Sequence, residues 1–331
     1  WFQFTEKDNS DWEHFGGSRY MPKINFFNKE AEDWVVSIAL YWQAFGVDGF
    51  RCDAAKEPPH QFWKRLRKEL KSRDKNFLLL GEIWDNANYM IPYFRDEFDM
   101  VFDYALFYPL AKMINDGDRL GFIKEIENIR QSFPKNAQLV RFLANHDNTR
   151  ALSLFGGDTL RLMQALTILW TLPGTPMIYY GDEIGMTGTR PPDENIRKRV
   201  EWKSINDKNE ILVQHRNLAR MRRQSPVLQT EHSKEIPSIT FLETASPNVL
   251  AYLRTNSKDA ALLVVANISD KTDSSYSVKM SSLKTGKYKS RSVLSTKNKT
   301  FASFNADSSY KPAPVLMPRQ TFVLELVSQK K

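Results

Sequence analysis

The sequence has a single cysteine and no long apolar run. Cys52 alone among 331 residues excludes an intramolecular disulfide framework and a multi-cysteine zinc site. No apolar stretch approaches the roughly 20 residues that a membrane-spanning helix needs. The chain begins at Trp1 without a basic-then-apolar leader, so we expect a signal peptide to be absent or already removed. Internal repeats and low-complexity tracts are also absent.

Charge is unevenly distributed along the chain. Residues 233–331 carry 15 basic and 7 acidic side chains, whereas residues 1–232 carry 32 of each. This asymmetry predicts a domain boundary near residue 233. The C-terminal positives are mostly lysines among Ser, Thr and Asn, which is typical of a solvated surface. Because no basic stripe with interleaved aromatic residues accompanies them, we expect no nucleic-acid partner.

Residues 1–232 alternate between short apolar runs and helical patterns, which predicts βα units and a parallel sheet. Asn28 is the expected N-cap of a helix that ends at Gly46. The other predicted helices cover residues 61–71, 158–172 and 209–224. The predicted strands cover residues 47–51, 77–80, 100–103, 139–144 and 176–180.

The remaining residues have a different pattern, with short β-like runs separated by turn residues and no convincing helix. This pattern predicts an antiparallel β-sandwich. The predicted strands cover residues 239–242, 249–254, 260–266, 276–280, 288–293, 315–317 and 321–327.

Three acidic residues lie just past the ends of predicted strands: Asp53, Glu82 and Asp147. In a parallel α/β barrel this end of the strands carries the active site. Carboxylates from different strands suit glycoside hydrolysis, in which one attacks the anomeric carbon and another protonates the leaving oxygen. Arg51 shares a strand face with Asp53, and its cation would hold Asp53 ionised.

Five segments resemble signature segments of the α-amylase family, glycoside hydrolase family 13. Residues 49–56, 81–84 and 142–147 resemble those at barrel strands four, five and seven, and residues 180–186 resemble the end of strand eight. Residues 21–25, Met-Pro-Lys-Ile-Asn, resemble the motif near the end of the inserted domain B. The resemblance covers about residues 15–225 and implies a (β/α)8 TIM barrel followed by an antiparallel β-sandwich, domain C.

The resemblance also implies a role for each matching residue. Asp53 is the expected nucleophile, Glu82 the general acid/base and Asp147 the residue that stabilises the transition state. The expected substrate-binding residues are Arg51, His146, Lys56, Trp84, Asp193 and Arg197. Lys56 and Trp84 are candidates for the leaving-group side, and the Asp193–Arg197 pair for the non-reducing side. Trp84 could instead pack in the core. Asp193 and Arg197 could instead form a surface ion pair.

The family's first signature segment has no match, and only 52 residues precede Asp53. Three βα units of roughly 30 residues each cannot fit there. Residues 1–232 are therefore predicted to be the C-terminal part of the barrel, starting in the tail of domain B, and residues 233–331 to be domain C. We expect the missing N-terminal barrel segment to exist as upstream sequence or as a partner fragment.

Two positions bear on cofactor and specificity. Glu57 stands where amylases often have His, whose backbone carbonyl helps to bind a structural calcium together with an Asn of the missing segment. No cofactor is expected for the chemistry, no metal ligand is assigned, and a structural calcium stays an open alternative. Lys23 resembles the variant found in neopullulanase and cyclomaltodextrin-degrading members.

The leading interpretation is a retaining glycoside hydrolase that cleaves α-1,4-glucosidic bonds in starch, maltodextrin or related α-glucans. Alternatives within enzymes are an α-glucanotransferase, a neopullulanase-type enzyme or an α-glucosidase. An alternative of another class is a non-catalytic glucan-binding module or an inactive fragment. Polymeric starch is met outside the cell, which favours a secreted or periplasmic protein, although a cytoplasmic maltodextrin enzyme would have a similar sequence.

Overall fold

The computed structural model describes residues 1–135, 137–229, 238–256, 261–294 and 300–329. The chain divides into two compact units. The first comprises Trp1–Tyr104 and Ser132–Val140, and the second Ala105–Gln131 and Arg141–Lys331. The domain boundary predicted near residue 233 falls outside the described residues and stays a prediction. Two of the C-terminal lysines, Lys297 and Lys299, also lie outside them.

The first unit begins its regular structure with helix α1, Lys29–Phe45. The Asn28 side chain accepts a hydrogen bond from the Ala31 amide, which satisfies one of the unpaired donors of the first turn. Gly46 ends the helix with φ of +108°, a left-handed conformation that glycine adopts without steric cost. Both predicted ends of this helix are confirmed.

Four parallel strands follow in the chain, alternating with helices. They are β1 (Gly49–Cys52), β2 (Leu78–Gly81), β3 (Met100–Phe102) and β4 (Gln138–Arg141), with α2 (His60–Arg73) and α3 (Ala87–Met90) between them. Each strand pairs with the next in parallel. The first four predicted strands are therefore confirmed, with ends shifted by up to three residues, and together they form a partial barrel.

Two glycines let neighbouring segments approach closely in this sheet. A Cβ on Gly49 would lie 2.5 Å from the carbonyl oxygen of Leu78 on β2. A Cβ on Gly81 would lie 2.8 Å from the Ile83 side chain and 2.9 Å from the Phe98 ring. Because neither position has room for a side chain, the backbone that leads into Glu82 is tightly packed.

The second unit is helical before the β domain. It contains most of α4 (Tyr104–Asp116) and α5 (Arg119–Ser132), then α6 (Ala151–Leu154), α7 (Thr159–Thr171) and α8 (Glu210–Gln224). The patterns at 158–172 and 209–224 correspond to α7 and α8, with Asp158 and Asn209 as N-caps. Helices α4 and α5 were not predicted from the sequence.

The strand predicted at 176–180 is wrong in extent. Strand β5 covers only Thr175–Pro176, although the Met177 amide still donates to the Arg141 carbonyl at 2.7 Å. The chain then turns, since the Asp182 amide bonds to the Tyr179 carbonyl and Gly181 has φ of +84°. The apolar run therefore ends in a turn rather than extending the strand.

The β domain is antiparallel, as predicted. Six strands follow the order β11-β10-β13-β8-β7-β6, and β12 pairs with β9. Side chains of both groups share one hydrophobic core, including Leu263, Val278 and Tyr310. The strands are β6 (Ser238–Phe241), β7 (Val249–Thr255), β8 (Ala261–Asn267), β9 (Val278–Lys279), β10 (Lys287–Ser292), β11 (Thr300–Asn305), β12 (Ser309–Tyr310) and β13 (Thr321–Gln329).

Two details of the β-domain prediction are wrong. The strands β11 and β12 were not predicted, and the run at 315–317 forms no strand. Within that run, Leu316 makes a single antiparallel bridge to Asp273. A bridge of this kind uses the two backbone hydrogen bonds of one residue pair, so the apolar character of the run reflects burial of Leu316 rather than a ladder.

Polar contacts join the β domain to the helices of the second unit. The Thr171 hydroxyl at the end of α7 lies 2.6 Å from the Tyr252 hydroxyl on β7. Gln164 on α7 donates to the carbonyls of Asn267 and Arg319, and Arg319 donates to the Ile114 carbonyl. All six residues are buried, so these hydrogen bonds satisfy polar groups removed from water.

Candidate active site

The first acid cluster consists of Arg51, Asp53 and Glu82, at the carboxyl ends of β1 and β2. Nη1 of Arg51 bonds to Oδ1 of Asp53, and Nη2 lies 2.7 Å from Oε1 of Glu82. One guanidinium therefore binds both carboxylates, an arrangement its planar fork of donors permits. The two acids differ in accessibility: the Asp53 side chain is 64% exposed and that of Glu82 is 8% exposed.

Further donors fix the Glu82 carboxyl group. The Ala54 amide donates to Oε2 at 3.1 Å, and the Tyr104 hydroxyl donates to Oε1 at 3.3 Å. Ala54 has φ of +40°, which is rare for a residue with a side chain. That backbone turn directs its amide at the acid, so Glu82 is held by the main chain as well as by side chains.

Lys56 and Trp84 lie in the same unit as this cluster. The Lys56 ammonium donates to the Trp84 carbonyl at 3.0 Å and to Oδ2 of Asp85 at 3.1 Å. The Trp84 indole stacks on the Tyr104 ring, with centroids 4.6 Å apart and an interplanar angle of 13°. Because Trp84 keeps 37% of its surface exposed, its ring is accessible for stacking on a sugar.

The second acid cluster lies in the second unit and consists of His146, Asp147, Asp193 and Arg197. Arg197 donates through Nη2 to Oδ1 of Asp147 at 2.8 Å and through Nε to the His146 carbonyl at 2.9 Å. Nε2 of His146 lies 3.1 Å from Oδ2 of Asp147. Asp193 lies 3.4 Å from Arg197, so Arg197 contacts the other three predicted residues of this unit.

Arg190 joins the second acid cluster and was not predicted. It bonds to the Asp147 carbonyl, and its Nε lies 2.8 Å from Asp193. Tyr104, in the first unit, was missed as well. The sequence did contain a signal for Tyr104. It directly follows the predicted strand at 100–103, at the carboxyl end, which is also where the three predicted acids follow their strands. The contacts of Arg190 depend on the fold and have no local signal.

A buried ion pair links the segment that follows Asp147 to the turn after β5. Arg150, fully buried, donates to the Tyr180 carbonyl at 2.7 Å and to Oδ1 of Asp182 at 3.0 Å. Its guanidinium also lies 4.6 Å from the Tyr179 ring centroid. Burial raises the pKa of Asp182 to about 7, although the Arg150 cation acts in the opposite direction. The turn after β5 is thereby fastened to the segment that follows Asp147.

The Glu57 side chain is paired with a lysine. Oε2 of Glu57 lies 3.1 Å from the Lys23 ammonium, which supplies a positive charge where a cation would need oxygen ligands. Across the described ranges no group of three or more His, Cys, Asp or Glu side chains is placed to hold a metal ion. No step is therefore assigned to a metal.

The described residues form a partial parallel barrel with acids beyond its strand ends, followed by an antiparallel β domain. This is the architecture of an α/β-barrel enzyme. A family model for the α-amylase catalytic domain matches residues 2–234, and one for the α-amylase C-terminal all-β domain matches residues 242–317. The chain belongs to the α-amylase family.

Curated relatives agree with this assignment. The maltogenic α-amylase of Bacillus acidopullulyticus is 31% identical over 278 residues, which cover 80% of this chain and 46% of that protein. A cyclomaltodextrinase of Bacillus sp. is 31% identical over 256 residues, covering 75% of this chain and 44% of that protein. The chain thus spans about half the length of the curated relatives it matches.

Solved structures share the fold. The α-amylase of H. orenii is 29% identical with a TM-score of 0.74, and the match covers 92% of this chain and 66% of that one. An Anoxybacillus α-amylase at 23% identity has a TM-score of 0.81 and is matched over 100% of this chain and 71% of its own; this second likeness concerns the fold alone. No helix in the described part of the chain is long and apolar enough to cross a membrane.

Proposed function

We propose that the protein containing this chain is a retaining glycoside hydrolase that cleaves α-1,4-glucosidic bonds in starch, maltodextrin or related α-glucans. The observation that carries this proposal is the first acid cluster, in which one guanidinium contacts an exposed and a buried carboxylate. An exposed carboxylate beside a fixed cation suits a nucleophile. A buried carboxyl group held by several donors suits an acid/base of defined orientation.

The proposed reaction has two steps. Asp53 attacks the anomeric carbon while Glu82 donates its proton to the glycosidic oxygen, which leaves as the hydroxyl of the released sugar. Water then attacks the glycosyl-enzyme ester and gives a proton back to Glu82, which frees Asp53 and retains the anomeric configuration. Asp147 and His146 bind hydroxyl groups of the reacting sugar, and Asp193 and Arg197 those on its non-reducing side.

An Asp53→Asn substitution in the full-length protein tests the proposal. The amide cannot form the ester, so reducing-sugar release from soluble starch should fall by roughly four orders of magnitude or more. Asp74→Asn, at the exposed end of α2, is the matched control and should retain activity. Near-normal activity of the Asp53 variant would contradict the mechanism. Retention on insoluble starch by an inactive wild type would favour a binding module instead.

Completion of the barrel is part of the same proposal. Helix α1 exposes a row of aromatic side chains, Trp34, Tyr41, Trp42 and Phe45, which is unusual for a solvated helix face. Strand β1 pairs only with β2 among the described strands, which leaves an open edge. A complementary N-terminal barrel segment would cover both, and the same starch assay on residues 1–331 alone should then detect no activity.

A neopullulanase-type or transferase specificity is the second candidate. It is supported by Lys23 and by matched relatives named cyclomaltodextrinase and neopullulanase, the latter from Thermoactinomyces vulgaris and 32% identical over 206 residues. That match covers 61% of this chain and 34% of the relative. Product analysis with maltoheptaose and with pullulan separates the candidates, because transfer yields products longer than the substrate.

Cofactor use and location complete the proposal. The two carboxylates supply the nucleophile and the proton, so the bond-breaking steps need no cofactor. Activity that disappears on dialysis against a chelator while circular dichroism shows the fold intact would contradict this. We place the protein outside the cytoplasm because starch is an extracellular polymer. One relative is named an intracellular maltogenic amylase, and immunoblots of culture medium, periplasm and cytoplasm distinguish the two locations.

A further inference from the structure

Tyr104 links two parts of the first unit that the proposed function uses separately. Its ring is 2% exposed and stacks on the Trp84 indole, while its hydroxyl donates to Oε1 of Glu82. We propose that Tyr104 is a positioning residue that orients the proton donor Glu82 and supports Trp84, the candidate platform for the leaving-group sugar. This inference deepens the proposed function and rests on it.

The donors around Glu82 are unequally divided between its two oxygens. Oε1 accepts a hydrogen bond from the Tyr104 hydroxyl and lies 2.7 Å from Nη2 of the Arg51 cation. Oε2 accepts a hydrogen bond from the Ala54 amide. In a neutral carboxyl group the carbonyl oxygen is the better acceptor, and the other oxygen carries the proton. The donor and the cation beside Oε1 therefore favour the proton on Oε2.

The different partners of the two Glu82 oxygens define the role of Tyr104 in proton transfer to the glycosidic oxygen. The proton leaves Oε2 for the glycosidic oxygen as the C–O bond breaks and Asp53 forms its own bond to the anomeric carbon. Negative charge develops on Glu82 during this transfer, and a hydroxyl already directed at Oε1 stabilises it without reorganisation. Tyr104 keeps its own proton throughout, so the balance of the reaction is unchanged.

Stacking on Trp84 fixes the position of the Tyr104 hydroxyl. A tyrosine has only two side-chain torsions, and here the ring is held between the protein interior and a nearly parallel indole 4.6 Å away. The hydroxyl therefore cannot move toward or away from Glu82 without moving the ring against Trp84. The surface for the departing sugar and the group that protonates its oxygen are thus held by one side chain.

Tyr104→Phe in the full-length protein tests this inference, because it removes the hydroxyl and keeps the ring. The readout is kcat/KM for two substrates that differ in their need for a proton: maltotriose, whose leaving group is a sugar alkoxide, and α-maltosyl fluoride, whose fluoride leaves with little assistance. We expect the value for maltotriose to fall about tenfold and that for the fluoride to change less than about twofold. Tyr93→Phe removes the hydroxyl from another buried ring and should leave both values unchanged.

A second comparison guards against a merely structural effect. In a Glu82→Gln background there is no proton to orient, so adding Tyr104→Phe should not lower the residual kcat/KM for maltotriose further. Equal losses on both substrates, no loss on either, or additive effects in the double variant would overturn the role of Tyr104. A wild-type protein inactive on both substrates would instead overturn the proposed function, and the inference with it.

Discussion

The two acid clusters hold their carboxylates in different ways. In the first, the Glu82 side chain is 8% exposed, and its donors include a backbone amide directly after a strand. In the second, the side chains of Arg197 and Asp193 are 45% and 44% exposed, and both lie in the segment after the β5 turn. One cluster depends on the strand backbone and the other on long side chains that reach across a loop.

This difference matches what each cluster is proposed to do. Proton transfer and nucleophilic attack require reacting atoms held at fixed separations, and small displacements are costly. Binding of sugar hydroxyls tolerates adjustment, because exposed arginines can exchange partners at little cost. Substitutions in the first acid cluster should therefore act on the chemical step, whereas those of the exposed Asp193 and Arg197 in the second should act mainly on binding.

Glu82→Gln should produce the largest effect of the comparison. The amide has no proton of suitable acidity, so kcat/KM for maltotriose should fall by about a thousandfold, within the usual contribution of general acid–base catalysis. The loss on α-maltosyl fluoride should be much smaller. Glu30→Gln, in the exposed first turn of α1, is the control. A fall of less than tenfold on maltotriose would contradict the distinction between the clusters.

Local patterns predicted the sheet better than they predicted the helices around it. Asn28 and Gly46 could be predicted as the ends of α1, because an N-cap and a left-handed glycine act within one helical turn. Helix α4 was not predicted, since its first residues, Tyr104 to Phe107, are all buried and show no alternation of exposed and buried positions. Residues after Met177 had the composition of a strand, yet the turn around Gly181 ends the pairing.

The candidate site followed the same division. Asp53, Glu82 and Asp147 could be named because they follow apolar runs, and Arg51 because it lies two positions before Asp53. Arg190 and Asp182 act through partners more than 30 residues away. Sequence alone gives no measure of which distant side chains meet, so these contacts required the fold.

Arg197→Ala should produce an intermediate effect. It removes the donors to Asp147 and to the His146 carbonyl, and exposed pairs of this kind contribute up to about 1 kcal/mol. We therefore expect KM for maltotriose to rise about fivefold, the equivalent of 1 kcal/mol, with little change in kcat. Arg197→Lys should recover only part, because an ammonium lacks the planar fork. The control is Arg199→Ala, at an exposed position.

A kinetic result can refute that expectation directly. If Arg197→Ala lowers kcat as strongly as Glu82→Gln does, while KM is unchanged, the second acid cluster takes part in the chemical step and the comparison fails. If Arg197→Lys raises KM less than Arg197→Ala does, and neither changes kcat, the distinction between the two acid clusters is supported.

The last effect is on stability rather than on activity and concerns buried residues of the second unit. His215 is 5% exposed and lines a small cavity together with Asp182 and Tyr179. Burial lowers the pKa of His215 from 6.5 to about 4. Between these values the unfolded chain binds a proton that the folded protein does not, so His215 makes stability fall as the pH falls from 6.5 toward 4. The raised pKa of Asp182 has the opposite slope, since folded Asp182 keeps a proton that the unfolded chain releases between pH 3.8 and about 7.

His215→Leu isolates the first of these contributions. Between pH 6.5 and 5 the wild type should lose about 2 kcal/mol through His215, which corresponds to a shift of a few degrees in Tm for a domain of this size. The variant should lack that loss, so its Tm relative to the wild type should be higher at pH 5 than at pH 7.5, measured by scanning calorimetry. Parallel Tm curves for the two proteins across this range would show that His215 is not held neutral, and that the support of the second acid cluster is no more sensitive to pH than that of the first.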